Sequence, residues 1–138
     1  MQATHRQLIP VLAQDLRKWW DVIKPGIDAC RQSSADDWIP EDIYHAVKSG
    51  LSFLYVGQED GEYVGFLVLT PIQTYAAKVL HVWLCYSAAE STFDYLGELD
   101  NIARSLGISK ITHTSARKGW QRIDAFEQIS INYQRSVK

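Results

Sequence analysis

The apolar residues of this chain change their spacing at Gly50. Before it they recur every three or four positions; from there to Tyr86 they alternate or run together in short blocks bounded by turn residues. The first pattern belongs to amphipathic helices and the second to strands, so the chain is confined to an architecture in which helices cover a sheet. Leu8, Leu12, Leu16, Trp19 and Ile23 make the first stripe. Thr4 and Gln7 read as a capping box, but Pro10 would lie too deep in a helix begun there, so the regular helix is expected to open on Pro10 itself. Pro25-Gly26 should end or bend it, and the polar run over residues 31–37 should connect onward. Pro40, Glu41 and Asp42 suit the first turn of a short helix through Val47, because proline lacks only an N–H unneeded there and acids favour the positive helix end. Gly50 closes that helix.

Beyond Gly50, residues 51–56 and 63–70 flank the turn residues Glu59-Asp60-Gly61-Glu62 and read as a hairpin. Residues 71–76 connect to a third strand over 78–86, with His81 inside it. Ser91 or Thr92 can cap a helix whose face carries Phe93, Leu96, Leu99, Ile102, Ala103 and Leu106, with Gly107 as its terminator. A strand over 108–114, a short helix over 119–126 and a last strand over 129–137 follow. This order predicts an α/β (α+β) fold: a mixed central sheet with an antiparallel hairpin and helices on both faces.

Composition narrows the setting. At 138 residues, 46% hydrophobic and 22% charged, the chain is expected to form one domain over 1–138 with an ordinary core. Its 14 Lys+Arg against 16 Asp+Glu give a net charge of −2, which disfavours general nucleic-acid binding. Cys30 and Cys85 lack CxxC spacing, so two thiols in a reducing cytoplasm are expected rather than a zinc ribbon or a disulfide framework. The first twenty residues hold charges and no continuous apolar run, unlike a signal peptide, and no segment approaches the roughly 20 apolar residues of a membrane helix.

The residues Asp42-Ile43-Tyr44 before Gly50, the strand Leu54-Tyr55-Val56, the hairpin Asp60-Gly61-Glu62-Tyr63-Val64-Gly65, the helix end Ile102-Ala103-Arg104-Ser105-Leu106-Gly107 and the segment Arg117-Lys118-Gly119-Trp120-Gln121-Arg122 follow one another in an order that resembles the GNAT (acyl-CoA N-acyltransferase) superfamily. Over residues 42–138 the chain is most similar to small phage and prophage members. The resemblance implies transfer of an acetyl group from acetyl-CoA to a primary amine. It also implies that the strand over 78–86 splits from the next one, with the pyrophosphate on backbone amides at the start of the following helix. Two departures stand out. The family's glycine-rich, basic pyrophosphate loop is replaced by Ser87-Ala88-Ala89-Glu90-Ser91-Thr92, and Phe126 stands where the family often has a tyrosine as general acid.

Site candidates follow from that resemblance. His81 or Glu90 would be the base that frees the amine, and Tyr86 the phenol nearest the opening, with Tyr133 a second. Backbone amides of Trp83, Leu84 and Cys85 would steady the oxyanion, and Ser91 and Thr92 would meet the pyrophosphate. Arg117, Lys118 and Arg122 flank Gly119-Trp120 and could hold the 3′-phosphate of CoA or an acidic partner. Cys85 as a nucleophile would need a base beside it; a buried thiol is the plainer expectation. Trp20 stands about 100° from the first stripe; it would either be exposed, as at an interface, or pack with Trp19 under the loop over 26–38. The alternative function is a non-catalytic protein of this fold acting through contacts with a phage protein or a second copy, for example a virion or assembly accessory. Both readings imply the host cytoplasm and no membrane, the second also allowing association with a virion.

Overall fold

In the computed structural model, which describes residues 6–34, 37–87, 95–114, 129, 133 and 135–137, the change of period at Gly50 is a change of layer. Strands β1 (Arg6–Val11), β2 (Phe53–Glu59), β3 (Glu62–Gln73), β4 (Lys78–Ser87) and β5 (Ile111–His113) form one sheet in that order. β1 to β4 pair antiparallel and β5 runs parallel to β4. Helices α1 (Leu16–Ser33) and α2 (Pro40–Lys48) cover one face, where Leu16, Ile23, Ile27, Ile43 and Val47 meet Leu54, Val56, Phe66 and Val68. Helix α3 (Tyr95–Ser105) covers the other, with Leu99 and Ala103 on Leu67 and Leu69. The sheet is therefore mixed and helices lie on both faces, as the alternation within each strand requires.

Local chemistry sets most boundaries. Asp42 accepts the Ile39 N–H at 2.9 Å and so caps α2, with Pro40 as its first residue. Past α2, Gly50 takes φ +83°, and Leu51 N–H returns to the Ala46 carbonyl at 3.0 Å. Gly107 ends α3 the same way, with Ile108 N–H on the Ala103 carbonyl at 2.9 Å. Asp60 and Gly61 both adopt positive φ, the turn that matches the twist of a two-residue hairpin.

The amino-terminal expectation fails. Residues 6–11 are a strand, paired from Arg6↔Glu59 to Val11↔Leu54, and α1 begins only at Leu16 after a 3-10 turn at Ala13–Asp15. The Leu8/Leu12/Leu16 spacing thus runs from a strand, through the residue that precedes the 3-10 turn, to the first residue of α1. Pro10 is tolerated because β1 is the edge strand. Nor does Pro25-Gly26 end the helix, which runs on to Ser33. Pro25 and Asp21, whose carbonyl loses its partner, both face solvent, while Ile23 and Ile27 are fully buried and hold the helix on the sheet. Trp20 is half-buried against Tyr44, edge-on at 4.9 Å, rather than exposed. Leu106 lies past the end of α3 and is exposed. The expected cap at Ser91 or Thr92, Phe93 and the expected helix over 119–126 lie outside the described residues; Ile129, Tyr133 and residues 135–137 are described, carry no strand and are exposed.

Gly26 has a steric role. A Cβ there would stand 2.7 Å from Phe66 Cε1 and 2.7 Å from Tyr86 Cδ1, two rings stacked on each other beneath α1. Gly26→Ala is expected to lower stability by about 1–2 kcal/mol, the cost of overpacking a core less alanine's helix advantage of up to about 1 kcal/mol. Equilibrium denaturation checks this, and a variant at least as stable as the parent would contradict it.

Candidate functional site

β4 carries one residue more than β3 can pair. Val68 lies opposite Leu84, but its neighbour Leu69 lies opposite Val82, so Trp83 is bulged out of the ladder. The core records the consequence. Leu80 and Val82 pack on the α3 side, whereas Leu84, which unbroken alternation would send with them, packs on the α1 and α2 side. Trp83 joins that same side and meets Trp38 edge to face, with ring centroids 6.3 Å apart and planes at 78°. Trp38 donates its Nε1–H to Ser34 Oγ at 3.2 Å, and the Arg31 guanidinium stands 5.9 Å from its ring. The end of α1 and the approach to α2 are thereby fastened to β4 at its bulge.

The bulge coincides with a change on β4's other edge. Its ladder to β5 runs Leu80↔Ile111, His81↔Thr112 and Val82↔His113; among the described residues it stops there, while β4 continues to Ser87. The parallel register sets His81 beside Thr112, with Nδ1 2.8 Å from Oγ1. Alternation from Leu80 and Val82 puts both on the α1 and α2 side. His113 donates its Nδ1–H to the Val82 carbonyl at 2.9 Å. Burial lowers its pKa, and that hydrogen bond opposes the shift without cancelling it.

The candidates on β4 share a strand but not a surface. Leu84 is buried in one core and Cys85 packs against the other. Burial, and behind it Cys30, pushes the Cys85 thiol up to about 12, so it stays protonated at neutral pH and is no nucleophile. Tyr86 stacks on Phe66 with centroids 5.5 Å apart, its ring serving as packing beneath α1. Nearby, burial and then the neighbouring Tyr86 and Cys30 raise the pKa of Tyr63, whose hydroxyl has no hydrogen-bond partner among the described residues. What Trp83, Leu84 and Cys85 can offer a ligand is therefore backbone, and what His81 can offer is its ring.

Glu90, Ser91, Thr92, Arg117, Lys118, Arg122 and Phe126 lie outside the described residues. Among the described residues no three His, Cys, Asp or Glu gather to hold a metal ion, and no helix is long and apolar enough to cross a membrane. Sequence reasoning missed Thr112 and the Trp38–Trp83 contact. Nothing in one sequence reports the register between β4 and β5, or an extra residue within an apolar run.

The sequence matches no family model. Nor does it match any curated protein. Solved structures nevertheless superpose on it closely. A ribosomal-protein-alanine N-acetyltransferase from Brucella melitensis biovar Abortus has a TM-score of 0.69 at 15% identity, covering 95% of this chain and 99% of that one. An aminoglycoside acetyltransferase from an uncultured soil metagenomic sample, in complex with trehalose, gives 0.69 at 10% identity, over 96% and 97% of the two chains. A predicted acetyltransferase from Clostridium acetobutylicum, solved with acetyl-CoA, gives 0.60 at 15% identity, over 93% and 96%. At these identities the fold is what is shared, and this chain has the GNAT fold.

His113 makes stability sensitive to pH. Its folded pKa lies below its unfolded value, so between the two the unfolded chain binds more protons, and stability falls as pH drops below about 6.5. Thermal midpoints measured from pH 7.5 to 5.5 should decline in the wild type and decline less in His113→Asn, which keeps a donor for the Val82 carbonyl. Equal slopes would contradict this.

Proposed function

We propose that this chain transfers an acetyl group from acetyl-CoA to a primary amine. The observation that carries the reading is the coincidence at Val82-Trp83: the bulge in β4 lies where the described β4–β5 ladder ends, on a fold shared with acetyltransferases. The residues present suit an extended thioester-bearing arm, because a strand edge past a bulge presents amides to such a ligand much as it would to a further strand. Acetyl-CoA, when bound, supplies an acyl group on a thiolate leaving group.

The chain's own part is binding and proton transfer. Of the amides of Trp83, Leu84 and Cys85, those turned to the open edge rather than to β3 would donate to the carbonyl oxygen as charge develops on it. His81 would take the amine's proton as the carbon–nitrogen bond forms and the carbon–sulfur bond breaks, the electron pair leaving with sulfur. The protonated thiol of Cys85 argues against an acyl-enzyme and for direct attack by the amine. Structural neighbours named as aminoglycoside and ribosomal-protein-alanine N-acetyltransferases support an amine acceptor, small or at a chain end. A second reading, a phage or prophage protein working through contacts alone, is favoured by the run 87–92, which lacks both the glycines and the basic residue of a phosphate-holding loop.

The test is an acetyl-CoA titration followed by thermal midpoint, with thiol release measured over a panel of primary amines. Ligand at a hundred times its dissociation constant should stabilise the protein by about 2.7 kcal/mol. His81→Gln should keep that stabilisation and lose about a hundredfold or more in turnover. No stabilisation at millimolar acetyl-CoA and no thiol release would contradict the transferase reading and favour the contact reading.

A further inference from the structure

A contact between two side chains bridges β4 and β5 close to the bulge. His81 and Thr112 are register partners, both half-buried, with Nδ1 and Oγ1 2.8 Å apart. Both Cα positions are fixed by the sheet, and Thr112 is β-branched, so its hydroxyl has few orientations to choose from. A neutral imidazole carries its proton on one nitrogen and its basic lone pair on the other, and the partner of the first decides which.

We propose that Thr112 is a positioning residue: its Oγ1 accepts the Nδ1–H of His81 and so keeps the basic lone pair on Nε2. This rests on the transferase reading, in which His81 is the base. A hydroxyl suits the task because it still accepts from Nδ1 once the ring has become imidazolium, when both nitrogens are donors. The contact therefore survives the whole proton cycle and the ring need not turn. In the transfer itself, one proton passes from the amine nitrogen to Nε2, and the resulting charge is shared with the Nδ1–H···Oγ1 bond. His113 serves a different end, since its Nδ1–H is engaged by the Val82 carbonyl and holds the two strands together.

The experiment uses the full chain labelled with nitrogen-15 at histidine, with the His81 signals assigned by their loss in His81→Gln. Long-range proton–nitrogen correlation reads the tautomer directly at a pH where the ring is neutral. The wild type should show Nδ1 protonated and Nε2 bare. Thr112→Val, which keeps the shape and deletes the hydroxyl, should shift His81 toward the opposite tautomer, and Thr112→Ser should restore the wild-type pattern. Turnover per unit KM should fall roughly tenfold or more in Thr112→Val and recover in Thr112→Ser, because a base in the wrong tautomer loses most of its effect. Thr112→Ala replaces the valine variant if that protein does not fold. A wild-type ring protonated on Nε2, or a tautomer indifferent to the hydroxyl, would overturn the proposal. The expected tautomers with no acetyl transfer to any amine would instead overturn the transferase reading and leave the pairing intact.

Discussion

Two cores on opposite faces of one strand can both be satisfied only if that strand breaks its own alternation. β4 must give Leu80 and Val82 to the α3 side, then Leu84 and the Tyr86 ring to the α1 side. A residue of even number cannot serve both faces of a regular strand, so one extra residue has to be accommodated between Val82 and Leu84. Trp83 is that residue, and its indole turns the irregularity into packing by meeting Trp38. The hydrophobic effect on each face thus fixes the place at which backbone amides leave the ladder. A candidate site at the bulge is a product of core packing, in keeping with bulges clustering at sites that terminate pairing.

The same packing limits what side chains near the bulge can do. Desolvation, and behind it Cys30, keeps the Cys85 thiol protonated at neutral pH, Tyr86 is used for stacking, and Leu84 is core. His81 differs because it precedes the bulge and faces a polar neighbour across the last described registers of the β4–β5 ladder. Among the described residues, what this place offers a ligand is therefore the His81 imidazole and backbone. That is a sparse set, and it suits attack by an amine on an already activated thioester better than chemistry needing a covalent nucleophile or a metal cluster.

Much of the fold was legible because its boundaries are written in local chemistry. Gly50, Asp60-Gly61 and Gly107 sit at positive φ, Pro40 opens α2, and alternation marks β2 to β4. The failures came where tertiary pairing overrode a local pattern. Leu8, Leu12 and Leu16 are spaced as on a helix, yet pairing of residues 6–11 with β2 was worth more than one further helical turn. Pro25 reads as a stop, but its missing N–H lies toward solvent and Ile23 and Ile27 hold the helix through it. The strand bearing His81, Trp83 and Cys85 could be read from the sequence, whereas the partner of His81 could not. Thr112 is adjacent only through the register of a parallel pair separated by a helix, and no local pattern encodes that.

The central claim is that acetyl-CoA lies along β4 from the bulge onward, and amide chemical-shift mapping tests it most directly. On adding acetyl-CoA to nitrogen-15-labelled protein, the largest changes should fall on the backbone amides of Trp83, Leu84 and Cys85, with smaller ones at Thr112 and His113. Saturable shifts confined to other parts of the sheet or to the helices, or an unchanged spectrum at millimolar ligand, would contradict it.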